Sequence, residues 1–313
     1  MTVAKVISTG ISNLGYGGTK SKNPFVDMVG VIATTKSFSF STVAAAATES
    51  GWTDGIKAKT VFPFPQLWDV EDQGVVEVYA ESANAKRKKT RKRVRRYKFM
   101  FDNAMDVHRA MQSFDNTDLR WFIFDGNNNI KFYKDGDYVK GFSCSMVSVE
   151  AMTDASQSGD APALSSIVVD FDNSNEWDTY GDYITPSWAA KDLEPLTNVY
   201  LEQVGVATAT DATIRVYSYT GYTAAGAIDK IGIAGLVIAD FTATTAAGAD
   251  QTSALSAGTP GTMTDNGDGT YTFDAAGLAT GTVNLVAASS LSGGYFDSHF
   301  GTADGEATLT ITT

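Results

Sequence analysis

Apolar and polar positions alternate most clearly between Val75 and Phe124. Val76, Val78 and Ala80 alternate with Glu77, Tyr79 and Glu81, the two-residue period of a strand with one buried face. Tyr97, Phe99 and Phe101 repeat the alternation and predict a returning strand. After it, Asp102 can cap a short helix over Asn103–Ser113, because Ala104, Val107, His108 and Met111 fall at helical spacing. Trp121-Phe-Ile-Phe124 is an unbroken apolar run and predicts a strand covered on both faces.

The rest of the first part reads mostly as antiparallel strands. Val26–Thr34 is the first. Phe38 and Phe40 share a face within Lys36–Ser41, and residues 44–57 read as an Ala-rich turn or loop. Phe62-Pro-Phe-Pro-Gln-Leu-Trp68 cannot lie in a central strand, since its prolines cannot donate to a ladder, so an edge or interface is expected. Asp125-Gly-Asn-Asn-Asn129 is a turn by composition, and Asp135-Gly136 marks a tight hairpin after Ile130–Tyr133. Tyr138–Glu150 reads as one long strand with Phe142, Cys144 and Met146 on one face. Leu164–Phe171 places Ile167, Val169 and Phe171 together.

Composition changes near Pro186–Pro195. The expected organisation is a first domain over 1–187 with a Gly/Ser-rich arm at 1–22, a linker at 188–197, and a second domain over 198–313. The second domain is rich in Thr, Ala and Gly. Short strands are expected at Val199–Val204, Thr213–Tyr219, Ile231–Phe241, Gly269–Phe273, Gly281–Ala287 and Glu306–Thr312, a spacing that predicts a β-sandwich. The fold class is therefore mainly β, with one short helix in the first domain.

Charge sharpens this picture. The net charge is −12, yet ten of the thirteen residues from Lys86 to Lys98 are basic. Residues 198–313 hold only Arg215 and Lys230 against eleven acids. The chain is acidic with one concentrated positive island. Three readings of that island compete: a nucleic-acid arm, a solvated hairpin tip, and a contact received by the acidic surface of a second copy. The acidity of the rest of the chain repels phosphate and favours the third. The residues assigned to it are Lys86, Arg87, Lys88, Lys89, Arg91, Lys92, Arg93, Arg95 and Arg96. One cysteine, Cys144, excludes an internal disulfide. Met1-Thr-Val-Ala-Lys-Val6 has no apolar core of a secretory signal, and no apolar run is long enough to span a bilayer, so neither export nor membrane insertion is expected.

No catalytic set emerges. His108 and His299 fall in different expected domains; His108 reads as a packing residue on the helix and Cys144 as a small buried apolar one. Gly15-Tyr-Gly-Gly-Thr-Lys20 lacks phosphate-loop spacing. Asp265-Asn-Gly-Asp-Gly269 lacks the closing glutamate of a calcium loop and reads as a turn. The expectation is a non-enzyme with no cofactor and no metal.

Residues 75–180 resemble the tail tube (major tail) proteins of tailed bacteriophages. The order of hairpin, helix Asn103–Ser113, strand Trp121–Phe124, turn Asp125-Gly126, strand Ile130–Tyr133 and the long strand led by Val139-Lys-Gly-Phe142 carries the resemblance, with Ser166–Phe171 and Asn175-Glu-Trp177 closing it. Asp265–Phe273, followed by Gly281-Thr-Val-Asn-Leu285, resembles invasin-type immunoglobulin-like domains, in which a tyrosine, here Tyr271, fixes a corner. The first resemblance implies a β-sandwich or barrel with one flanking helix. It also implies a structural virion protein whose hexameric rings stack into a tail tube, a conduit for double-stranded DNA that passes without specific binding. The implied partners are copies of the chain and other tail proteins such as the tape measure and terminator. The implied location is the virion tail, assembled in the cytoplasm of the bacterial host. A capsid decoration or head-fibre protein, and a carbohydrate-binding adhesin using Tyr217, Tyr219 and Tyr222, are the alternatives.

Overall fold

A computed structural model describes residues 27–75, 78–81, 87–91, 94–102, 105–153, 163–171, 173–208, 210–222, 227–256, 263–274, 278–286, 291, 296–297 and 307–312. The chain divides into two units, Met1–Leu193 and Glu194–Thr313. The expected arm at 1–22 lies outside the described residues.

In the first unit, β1 (Met28–Thr35) buries Val31, Ile32 and Ala33 completely, so both its faces are covered. Thr42 then caps α1 (Val43–Ala46), its hydroxyl accepting from the Ala45 N–H at 3.1 Å. α2 (Glu49–Lys57) buries Trp52 and Ile56, one turn apart. This pair replaces the expected loop. The apolar signal is two large residues among Ala, Gly, Ser and Thr. Gly55 is required by packing, because a Cβ there would lie 2.4 Å from Val61 Cγ2.

The proline segment behaves as an edge. β2 (Val61–Pro63) ends one sheet, and after Phe64–Gln66 the chain enters β3 (Leu67–Asp72), which ends the other. β4 (Val78–Glu81), β5 (Arg87–Arg91) and β6 (Arg95–Asp102) follow, then α3 (Met105–Gln112), which buries Met111 and rests Val107 on the core. β7 (Leu119–Asp125) is buried at Trp121, Phe122 and Ile123, as the apolar run predicts.

β8 (Ile130–Asp135) and β9 (Tyr138–Lys140) form the expected hairpin, with Gly136 at φ 62°. The long strand expected over 138–150 is instead three pieces: β9, β10 (Phe142–Ser143) and β11 (Met146–Val149). β9 pairs with β8, β10 with β7, and β11 with β12 (Leu164–Phe171) in the other sheet. Gly141 allows the first break, since a Cβ there would lie 2.7 Å from the Trp121 nitrogen. The second break, after Cys144, shifts the phase, so Val147 is buried and Met146 is exposed. α4 (Ser174–Asp178) and β13 (Gly181–Ile184) close the unit. In place of the single expected helix, the described residues of this unit form four short α-helices.

Two sheets result. The seven-stranded sheet runs β13-β8-β7-β1-β2, with β10 on β7 and β9 on β8; the four-stranded sheet runs β11-β12-β6-β3. Their facing sides form one aromatic-rich core: Trp121, Ile123 and Phe142 from the first meet Phe99, Phe101, Ile167, Val169 and Phe171 from the second. On the other side of β7, Phe122 lies edge-on to Trp52 at 4.9 Å. The four-stranded sheet has unequal borders. At β11, the Val147 carbonyl accepts from the Asn116 N–H at 2.9 Å and the Val149 N–H donates to Asp115 Oδ1 at 3.0 Å, whereas among the described residues β3 has no strand beyond it.

Part of the expected linker belongs to this unit. Ala190 and Leu193 are buried, and the Trp188 indole donates to the Ala47 carbonyl at 2.9 Å. Asn128 ties the segment down: its side chain donates to the Trp188 carbonyl at 2.6 Å and accepts from the Ala190 N–H at 2.8 Å.

The second unit is a β-sandwich. Its strands are β14 (Thr197–Asn198), β15 (Tyr200–Val204), β16 (Ala207–Thr208), β17 (Asp211–Tyr222), β18 (Ile228–Gly232), β19 (Phe241–Thr245), β20 (Thr264–Asp265), β21 (Thr270–Asp274), β22 (Gly281–Leu285), β23 (Phe296–Asp297), β24 (Ala307–Leu309) and β25 (Ile311–Thr312). One sheet runs β15-β17-β21-β20 with β18 on β17, the other β19-β22-β24, and β14–β23 and β16–β25 are parallel pairs. Ile214, Val216, Tyr271 and Phe273 of one sheet face Phe241, Val283 and Leu285 of the other.

The strand expected over Ile231–Phe241 ends at Gly232. Gly235 takes φ 88°, and its N–H donates to Asp265 Oδ2 at 2.7 Å. Tyr271 holds this loop: its hydroxyl donates to the Ile233 carbonyl at 2.6 Å and accepts from the Leu236 N–H at 3.2 Å, and burial pushes its pKa up to about 12. Tyr271→Phe keeps the ring and strands the Leu236 N–H, so urea unfolding should show a loss of about 1–3 kcal/mol.

Candidate assembly site at the basic hairpin

The basic run sits on one long hairpin. β3 pairs with β6 through Asp72 opposite Tyr97; Val75 bridges Val94, and β4 pairs with β5 from Val78–Arg91 to Glu81–Arg87. The register runs almost unshifted from base to tip. The expected partner of Tyr97 lay in the Val75–Glu81 strand; it is Asp72 instead, and part of the basic run is itself strand. Strong like charge hides strand character, because Lys and Arg carry no apolar period.

Arg87, Lys88, Lys89 and Arg91 lie on β5, which pairs only with β4 among the described strands. Lys86, Lys92 and Arg93 lie outside the described residues. Arg95 and Arg96, at the base, are engaged within the chain. Arg95 pairs with Asp178, and Arg96 makes a two-pronged contact to Asp170, its cross-strand neighbour on β12, with Nη2 2.7 Å from Oδ2. That hydrogen bond raises the Arg96 pKa. Lys98 pairs with Glu150 at 2.6 Å and, with the Ser166 hydroxyl, lowers the Glu150 pKa. The acids for this end of the run are therefore the chain's own. Asp69, Glu71, Asp102, Glu150 and Asp170 border or share the sheet surface with Arg96 and Lys98, leaving an acidic excess there.

Behind the base lies a cluster absent from the sequence-based expectation. Trp177 stacks on Phe142 at 3.9 Å between ring centroids. Arg95 and Lys131 approach the same indole at 5.1 and 4.8 Å. Glu176 is buried, accepts from the Ser143 N–H at 2.7 Å, and lies 3.7 Å from Arg120 Nη1. Only the Asn175-Glu-Trp177 motif pointed here. Burial and the neighbouring Arg95 pull the Lys131 pKa down to about 8, with Asp178 opposing them.

The other candidate residues stay apart. His108 Nδ1 lies 2.8 Å from the Ser165 hydroxyl and its Nε2 lies 3.1 Å from Gln112, while His299 is outside the described residues. Cys144 is buried, its thiol 3.1 Å from the Leu119 carbonyl. In Asp265–Gly269 the carboxylates turn back on the loop: Asp265 accepts from Gly267 and Asp268 from Thr270. Among the described residues, no group of His, Cys, Asp and Glu gathers to hold a metal ion. A cleft of about 390 Å³ lies beside Val29, Phe124, Asn128, Trp188 and Lys191, and its Asn128 is already committed to backbone partners. No helix among the described residues is long and apolar enough to cross a membrane. No known family model and no curated protein matches the chain.

The Lys131 environment makes stability depend on pH. The folded state disfavours the ammonium below about pH 8, and this loss of stability is relieved as pH rises from 8 toward 10.5. Lys131→Met should stabilise the protein by about 1–3 kcal/mol at pH 7, with the gain vanishing near pH 10.5 in a urea series. A pH-independent difference would contradict this.

Proposed function

We propose that the chain is a structural, non-enzymatic virion protein that assembles with copies of itself as the tube of a bacteriophage tail, with an immunoglobulin-like domain at its C-terminal end. The observation that carries this reading is the long hairpin. Its base is built into a sheet whose β3 border has no further strand among the described residues, while its tip is a two-stranded ribbon, β4–β5, bearing Arg87-Lys-Lys-Thr-Arg91. A ribbon that joins no other described strand and carries a concentrated charge is a device for joining another chain, because strand borders and like charges both lower their free energy by gaining a partner. Since Arg95, Arg96 and Lys98 have partners in their own chain, the contact falls to the tip, Lys86–Arg93.

The acidic excess on the outer face of the four-stranded sheet supports the second half of the reading. A surface of that sign does not hold phosphate, which suits the wall of a passage for DNA. The pinning of Ile233 and Leu236 by Tyr271 supports the immunoglobulin-like reading of the second unit.

Negative-stain microscopy of the purified protein, with solution mass, tests the proposal. Concentrated protein should form rings or tubes, and Arg87→Glu, Lys89→Glu and Arg91→Glu together should abolish them. Removing residues 194–313 should leave tubes in place. Single non-associating chains from the unaltered protein, or normal tubes from the charge-reversed variant, would overturn the reading.

A further inference from the structure

Trp68 stands 57% exposed at the bulge of β3, between Leu67 and Asp69. A bulge re-aims a side chain, and tryptophan is among the residue types that most often anchor a contact. Leu67 and Val70 turn toward the core. Asp69 and Glu71, which flank Val70, therefore stand on the opposite face, and both are exposed. Asp69 Oδ1 accepts from the Val70 N–H at 2.7 Å and Glu71 Oε2 from the Gln73 side-chain amide at 3.1 Å, both uncharged donors. Lys98, directly across from Glu71, is engaged by Glu150 at 2.6 Å. The border strand thus presents an aromatic surface next to two carboxylates at a two-residue interval.

The hairpin tip has the matching inventory. β5 carries Arg87, Lys88, Lys89 and Arg91, and Glu81 is the single acid on β4. Arg87 and Lys89 stand at the same two-residue interval as Asp69 and Glu71, so two ion pairs can form at once. Trp68 suits a guanidinium or the stem of a lysine. The tip is led away from its own β3. Val75 bridges Val94, and β4 pairs with β5 beyond that bridge. Ala80, across from Lys88, is eleven residues from Asp69, roughly 35 Å of extended chain. Strand and tip therefore meet between two molecules.

We propose that Trp68, Asp69 and Glu71 of one copy receive the hairpin tip of a second copy, the carboxylates taking its cations and the indole covering their stems. The inference rests on the self-assembly reading and names the surface that completes it. The contact takes the border strand and leaves Glu150 and Asp170, beside β11 and on β12, to the acidic face.

Sedimentation velocity and negative-stain microscopy of full chains test it. Asp69→Lys with Glu71→Lys should abolish association at low salt, as Arg87→Glu, Lys89→Glu and Arg91→Glu together should. Mixed in equal amounts, these two variants should associate again, because each supplies the charge that the other needs. A misfolded variant cannot give that rescue. Trp68→Ala should raise the concentration needed for association by about tenfold or more. Asp211→Lys with Asp229→Lys, at exposed acids of the second unit, should change nothing. Association that survives reversal of Asp69 and Glu71 but not of the tip would overturn this surface and leave the self-assembly reading standing. A mixture that fails to associate, indifference to Trp68→Ala, or association lost with Asp211 and Asp229 would overturn it as well. An unaltered chain that stays single would overturn both.

Discussion

The first unit depends on covering β7 from both sides. Trp121, Phe122 and Ile123 are consecutive and fully buried, so their side chains need two separate apolar surfaces. The four-stranded sheet provides one through Phe99 and its neighbours, and Phe40 with Trp52 provides the other. Burying a large apolar side chain stabilises by roughly 1.5–3 kcal/mol, and three in a row bind both layers to one strand. The base of the hairpin inherits its position from this, because β6 supplies Phe99 and Phe101 to the same core.

Charge is organised around that frame. At the hairpin base each cation meets an acid on a different element: Asp178 on α4, Asp170 on β12, Glu150 after β11. These pairs neutralise the cations where the hairpin leaves the sheet. Trp177 adds a polarisable surface shared by Arg95 and Lys131, whose proximity is one reason the lysine gives up its proton so readily.

Strict periodicity was legible in the residues alone. β7, β12, β17 and β21 lie where alternation or an apolar run placed them, and the two prolines near Phe64 marked a sheet border. The errors share a cause: tertiary contacts overruled local pattern. Gly141 sits against the backbone of β7 and splits what reads as one strand; Tyr271 bends an apolar stretch that reads as another. The α1–α2 pair hid because its helical face shows only Trp52 and Ile56. Of the candidate site, the basic run was plain from composition. Its register against β3 depends on strand pairing, which no count of charges reveals.

The two borders of the four-stranded sheet are chemically different. The turn at Asp115–Asn116 occupies the outward groups of Val147 and Val149, while β3, which carries a bulge at Trp68, has no strand beyond it among the described residues. Among the described residues the two borders thus differ in how much backbone they leave without a strand beside it. A further strand could be added past β11 only by displacing that turn, so the sheet carries a directional asymmetry in its backbone chemistry.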